Sequence, residues 1–135
     1  MNVDRRTRAS AWLSNADGDL LAMSRLRDDL PHLACFHGQQ AVEKALKAVL
    51  TLREGDVPFT HVIRELLSAC QESGQGIPQA IERHALALEK FYVPTRYPDA
   101  LGWADARSAY NLRDAEMAHE DAEAVLLWAR TILAG

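Results

Sequence analysis

Aromatic, cationic and acidic side chains are concentrated in the segment FYVPTRYPD. Tyr92 and Tyr97 offer ring faces on which a nucleobase can stack, and the guanidinium of Arg96 can bind a phosphate group. Asp99 completes the set, and two prolines restrict the backbone between them. This composition predicts a ligand site for a nucleotide or an RNA end. The structural alternative is that the tyrosines fill one end of the core while Arg96 pairs with Asp99 or Glu43.

A second polar group lies in the segment QQAVEKALK and comprises Gln39, Gln40, Glu43, Lys44 and Lys47. Gln39 falls on the apolar stripe of a helix, which predicts that its amide is held inside or at a contact. The other four form the adjoining polar stripe, and the two lysines complete a phosphate pocket if the FYVPTRYPD segment folds over them. The alternative is a satisfied core glutamine beside a solvated charged face, with Glu43 and Lys47 as a weak i,i+4 pair.

The residue spacing gives little support for a metal site or a catalytic nucleophile. Glu116 and His119 form a single Glu-x-x-His, whereas di-metal bundles need that motif twice together with two further glutamates. The other histidines are scattered, at His32, His37, His61 and His84. Cys35 and Cys70 lack the CxxC spacing, and no glycine-rich phosphate loop is present. We therefore expect no metal and no cofactor, and we expect the two cysteines to be buried and reduced.

The longest helical pattern runs from Pro31 to Leu52, where apolar residues recur every three or four positions. Pro31 suits a first helical turn, and Gly55 suits a left-handed cap just past the end. Before it, the spacing predicts a first helix from about Asp4 to Leu30. The cations in the first turns of that helix predict a frayed, solvated end or, alternatively, a phosphate contact; they are Arg5, Arg6 and Arg8.

Three further segments complete the pattern. Thr60 is placed to cap a third helix, and Pro78 opens a fourth that continues to Tyr92. Residues 93–110 contain prolines and a glycine that prevent a continuous helix, and Asn111 with Asp114 caps a final one. The chain is predicted to be all-α: an antiparallel up-and-down bundle of four or five helices with a long ordered loop before the last. Residues 1–135 form one domain.

Composition limits the partners of this domain. Fifteen Lys and Arg against 19 Asp and Glu give a formal charge of −4, which argues against a broadly basic surface that binds nucleic acid non-specifically. No apolar run is long enough to cross a bilayer, and the N-terminus has no signal-peptide core. We therefore expect a cytoplasmic protein that contacts neither DNA nor a membrane.

The segments FHGQQAVEKALKAVL, THVIRELL and FYVPTRYPDA together resemble the HEPN domain family, small prokaryotic helical proteins often encoded beside a minimal nucleotidyltransferase. The resemblance extends from about Trp12 to Leu133. It implies a helical bundle, a homodimer and a separately encoded nucleotidyltransferase partner, often as a toxin–antitoxin pair. Some apolar residues lie beyond the single apolar stripe that a helix needs for the core, and these support the homodimer; they are Leu13, Leu21, Leu50 and Leu127.

Ribonucleases of this superfamily use an arginine and a histidine spaced as R-x(4–6)-H, and Arg113 with His119 meets that spacing. In this hypothesis His119 is the general acid or base on a ribose 2′-hydroxyl and Arg113 stabilises the phosphate charge. Residues six apart in a regular helix point about 120° from each other, so the pair would have to act across a dimer. Asp114, directly after the arginine, is an unhelpful charge beside a scissile phosphate.

Three hypotheses follow for the function of the chain. The first is a nucleotide- or RNA-binding module that works with the nucleotidyltransferase, with a role as the toxin component of a pair. The second is a metal-independent endoribonuclease that uses Arg113 and His119. The third is a structural adaptor without a ligand. Labelled RNA incubated in EDTA with wild type, Arg113→Ala and His119→Ala separates the second from the others.

Overall fold

A computed structural model of the protein describes residues 3–92 and 105–135. Within these ranges the chain forms six α-helices and one 3₁₀ turn, and no strand. The α-helices are α1 (Arg5–Leu26), α2 (Pro31–Glu54), α3 (Ile63–Glu72), α4 (Gln79–Ala87), α5 (Ala106–Ala109) and α6 (Leu112–Ala134). The 3₁₀ turn, Glu89–Phe91, follows α4. The predicted all-α bundle is confirmed.

Helix α2 is the centre of the bundle. It packs most extensively on α1 and next on α6, and it also contacts α3 and α5. Pro31 occupies its first turn, as predicted. Gly55 ends the helix with a positive φ of +85°, but its ψ of −46° is not that of the predicted left-handed cap. At Gly38 an added Cβ would lie 2.7 Å from side-chain atoms of Met23 and of Leu88, which shows how closely α1 and the end of α4 approach this helix.

The arginines at the start of α1 are exposed, but this end of the helix is not frayed. Asp4 caps it by accepting a hydrogen bond from the N–H of Thr7 at 2.7 Å. Arg5 donates to the carbonyl oxygen of Arg53 at 2.8 Å, and Arg6 donates to that of Leu133. These carbonyls lie in the last turns of α2 and α6, where a cation is favoured by the helix dipole.

Helix boundaries were predicted least well in the third and fourth helices. Helix α3 begins at Ile63 with Val62 as its N-cap, so Thr60 is not the cap. The Thr60 hydroxyl accepts from the N–H of Val62 at 3.1 Å and donates to Oε1 of Glu65 at 2.6 Å. Helix α4 ends at Ala87, so the predicted continuation to Tyr92 is broken by the 3₁₀ turn.

The last helix follows its prediction. Asn111 and Asp114 form the capping box, each side chain accepting from the other's N–H at 2.9 Å. Alanines at helical spacing in α2 and α6 predict that the two helices approach closely, because small side chains leave room between them. All six are buried; they are Ala41, Ala45, Ala48, Ala115, Ala118 and Ala122. Of the predicted loop before this helix, residues 93–104 lie outside the described residues, and α5 supplies one turn near its end. No helix among the described residues combines the length and the apolarity needed to span a bilayer.

Candidate functional site

The first part of the site joins α1 to α2 through a buried carboxylate. Asp19 on α1 is 8% exposed, and its two oxygens lie 2.8 Å from Nδ1 of His37 and 2.7 Å from Nζ of Lys44. Burial raises the pKa of Asp19, but the hydrogen bonds from His37 and Lys44 outweigh it, so the net pKa lies below the ordinary value. Asp19 is therefore ionised, and it orients both α2 side chains.

The second part is centred on Glu43, one position before Lys44. Glu43 is 3% exposed and accepts from Nζ of Lys47 at 3.1 Å; Nδ1 of His61 lies at the same distance on its other side. Lys47 is itself 7% exposed. The expectation of a solvated face with a weak pair is wrong for these two residues, because α1 and the segment before α3 cover them. The pair is buried and hydrogen-bonded.

Two glutamines extend this group. Gln39 is fully buried, as predicted, and its amide nitrogen donates to the carbonyl oxygen of His61 at 3.1 Å. Gln40 donates to the side-chain oxygen of Gln39 at 2.7 Å. The loop that carries His61 is thereby fixed to α2 through both its backbone and its imidazole.

Aromatic rings lie at both ends of the Glu43 group. The imidazole of His61 stacks on Tyr92, with centroids 5.2 Å apart and planes at 13°. Phe59 contacts the same imidazole edge-on at 6.2 Å, and its own ring is fully exposed. On the other side, Nζ of Lys47 lies 5.4 Å from the ring centroid of Trp12. Trp12 in turn lines a shallow surface groove with Arg8, Ala11 and Asn15.

We call these residues the polar network: Asp19, His37, Gln39, Gln40, Glu43, Lys44, Lys47 and His61. The structure brings all five predicted residues of α2 into it and places Tyr92 against His61. The predicted site residues Arg96, Tyr97 and Asp99 lie outside the described residues.

Sequence reasoning missed Asp19, His37 and His61 as members of the network. A signal for Asp19 was present, because it falls on the buried stripe of α1 between Ala16 and Met23. A carboxylate in such a position needs a buried cation or donor. The two histidines carried no comparable signal, since their partners come from other segments of the chain.

The predicted ribonuclease pair does not converge within one chain. Helix α6 is a continuous α-helix from Leu112 to Ala134, so Arg113 and His119 point about 120° apart. The Arg113 side chain is 74% exposed, and its Nη1 lies 3.9 Å from Glu116. Catalysis by this pair across a dimer stays a prediction.

Other chemistry can be assessed from the described residues alone. Among them no group of three His, Cys, Asp or Glu side chains is placed to hold a metal ion. Burial raises the pKa of the Cys35 thiol and that of the Cys70 thiol to about 12, so both are neutral near pH 7 and poor nucleophiles.

Comparison with known proteins identifies the family of this fold. The model of the HEPN domain matches residues 9–132. TT1696 from Thermus thermophilus, known from a crystal structure, is 35% identical with a TM-score of 0.82, over 93% of this chain and 98% of that one. ST0689, an archaeal HEPN homologue, is 30% identical with a TM-score of 0.76, over 93% and 97% of the two chains. No curated protein gives a significant match. The chain belongs to the HEPN domain family.

Proposed function

We propose that this HEPN domain is a nucleotide- or RNA-binding module whose ligand lies over the polar network. The observation that carries the proposal is the continuous set of contacts from the buried Glu43 through the half-exposed His61 to the rings of Tyr92 and Phe59. It combines fixed polar groups with exposed ring surface, which are the two features that recognition of an unpaired base requires.

The energetics of the network support a role beyond stability. A buried ion pair such as Glu43 with Lys47 gives little net stabilisation, because the cost of removing both charges from water offsets their attraction. A fully exposed phenylalanine likewise gains nothing from folding. Ligand binding would explain both features, because the network holds the His61 loop in place and Phe59 provides an open ring face.

A titration with nucleoside monophosphates and a short single-stranded oligoribonucleotide tests the proposal. Phe59→Ala removes a ring that packs little in the free protein, and we expect it to weaken binding roughly tenfold, the effect of losing one base stack. His61→Ala should act at least as strongly. The matched control is His84→Ala, since His84 is also paired with a carboxylate, Asp121 at 2.8 Å, but lies on α4.

We expect His84→Ala to change affinity less than twofold. Equal losses in the control and test variants would contradict the placement of the site. No saturable binding by the wild type would contradict the ligand class and would favour the adaptor hypothesis.

The partner proposals rest on the family. We propose that the chain works with a separately encoded minimal nucleotidyltransferase, and that the two act as a toxin–antitoxin pair with this chain as the toxin. Co-expression of the two neighbouring genes, followed by purification through a tag on one product, tests the complex. Growth arrest by this chain alone, relieved by the partner, tests the toxin role; normal growth would contradict it.

We further propose a homodimer whose contact includes Leu21 and Leu127, which are 56% and 60% exposed. Each lies one turn from a residue of the Asp17–Arg130 ion pair, which joins α1 to α6, so the two leucines share one surface. Leu13 and Leu50, also expected to be in excess of the core, are instead buried within the chain.

A further inference from the structure

At the corner where α1 meets α2, buried polar atoms lack hydrogen-bond partners in the part of the chain that the structure describes. Among the described residues, two buried side-chain polar atoms have no hydrogen-bond partner, Nε of Arg27 and Nδ1 of His32. Both belong to this one corner, since Arg27 caps the end of α1 and His32 is the second residue of α2. An unsatisfied buried polar atom has lost its hydrogen bonds to water without replacement, so two at one corner indicate a missing partner.

The chemistry of the two atoms indicates what is missing. An arginine Nε–H is always a donor and never an acceptor, so the absent partner of Arg27 is an oxygen-type acceptor. Within the described part of the chain, the anion paired with it is the exposed Asp28, whose oxygen lies 3.7 Å away, too far for a hydrogen bond. An imidazole nitrogen can also donate, so an oxyanion is an acceptor suited to either group.

The start of α2 is suited to such an anion. It is a 24-residue helix with no acidic residue in its first turn and no side-chain hydrogen bond from its N-cap, Leu30. The positive end of the helix dipole is therefore not offset there by a carboxylate of its own. His32 is 9% exposed, and because helical side chains lean toward the N-terminus, its imidazole is directed to this end.

Besides the exposed Asp28 and Asp29 in the turn itself, the charges near His32 come from the segment around α5. Burial lowers the pKa of His32; the charge of Asp105 raises it and that of Arg107 lowers it. Asp105 accepts hydrogen bonds from both the backbone and the guanidinium of Arg107, so its negative charge is already matched. The guanidinium of Arg107 is 69% exposed and can turn toward an added anion.

We propose that the α1–α2 corner binds a phosphate group, held by Nε of Arg27, Nδ1 of His32 and the N-terminal end of α2. This site is separate from the polar network and does not depend on the nucleotide proposal. The phosphate can belong to inorganic phosphate, to a nucleoside monophosphate or to a nucleic-acid backbone. These sources differ in charge, since the first two offer a dianion and a backbone diester a monoanion.

Calorimetric titration of the full chain with inorganic phosphate, AMP and dimethyl phosphate at constant ionic strength tests the site. We expect saturable binding of at least one probe, together with a shift of the His32 imidazole nitrogens in ¹H–¹⁵N spectra. Arg27→Lys should weaken binding roughly tenfold because it keeps the charge but has no N–H at the Nε position, and Arg27→Gln should do so because it loses the charge that strengthens a hydrogen bond to an anion. Arg25→Gln removes an equal charge from the exposed surface two residues earlier and should have less than a twofold effect.

His32→Phe distinguishes a ligand site from a packing defect. It replaces an unsatisfied polar ring with an apolar ring, so without phosphate the variant should melt no lower than the wild type. Phosphate should raise the melting temperature of the wild type by mass action, and it should fail to raise that of the variant. Absence of saturable binding, full affinity in Arg27→Lys, or equal losses in Arg25→Gln and Arg27→Gln would overturn the proposal.

Discussion

Helix α2 has two buried faces that are built on opposite principles. Toward α1 it carries charged side chains beside the apolar contact of Gly38 with Met23, with Lys44 bonded to Asp19 and Lys47 bonded to Glu43. Toward α6 the buried positions are alanines and other apolar residues, and no ion pair joins the two helices among the described residues. The apolar face needs only complementary shape, whereas every atom of the polar face needs a specific partner. The fold requires the apolar contacts, whereas the polar contacts are explained better by function and specificity.

The largest expected effect comes from breaking the polar face at its centre. Glu43→Gln leaves Lys47 buried without a counter-charge, so we expect the free energy of unfolding to fall by about 3–5 kcal/mol in urea denaturation. The double variant Glu43→Met/Lys47→Met removes both charges. Its free energy of unfolding should recover to within about 1 kcal/mol of the wild type, whereas nucleotide binding should be lost in both the single and the double variant. A double variant as unstable as the single one would show that the polar face is needed for folding itself.

The apolar core of α2 should respond as a packed interior. Leu46 is fully buried, so Leu46→Ala removes apolar contacts and leaves a cavity, with an expected loss of about 2–5 kcal/mol in the same assay. Met117→Ala is the control, since Met117 is 48% exposed on α6, and it should cost less than about 0.5 kcal/mol. Unlike the loss in Glu43→Gln, which the double variant Glu43→Met/Lys47→Met avoids, the stability lost in Leu46→Ala should not return with a second apolar substitution unless that substitution refills the lost volume.

Acid should weaken the polar face selectively. The pKa of Asp19 is lower in the folded chain than its ordinary value of 3.8, so this carboxylate stabilises the fold above about pH 4. That stabilisation is lost as the pH falls through the lower, folded-state pKa. Urea denaturation from pH 6 to about pH 2.5 should therefore show a smaller acid-induced loss in Asp19→Asn than in the wild type. Identical slopes would mean that Asp19 is not held by His37 and Lys44.

The smallest effect on stability is expected outside both faces. Leu21→Gln and Leu127→Gln alter exposed positions, and each should change the free energy of unfolding by less than about 0.5 kcal/mol. If the homodimer uses this surface, the same variants lower the mass measured by light scattering at micromolar concentration. A wild-type monomer at that concentration would exclude the dimer.

The two faces also differ in how far they can be predicted from sequence. Spacing alone identified the alanine positions of α2 and α6, because a helical period of 3.6 residues determines which side chains share a face. The period likewise placed Gln39 inside, but it gave no sign that Glu43 and Lys47 would be covered. Their burial depends on Trp12 and His61, which approach from other segments, and a single helical pattern does not contain that information.

The hydrogen bond from Arg6 to the carbonyl of Leu133 connects positions 127 apart in the chain. A contact this distant in sequence carries a high loop-closure cost and is expected to form late, after the local hairpin of α1 and α2. During synthesis the first helix can pair with the second long before its leading arginine meets the final turn of the last. Until α6 packs against it, the apolar side of α2 is exposed to water, so the nascent chain is most prone to aggregation in that interval.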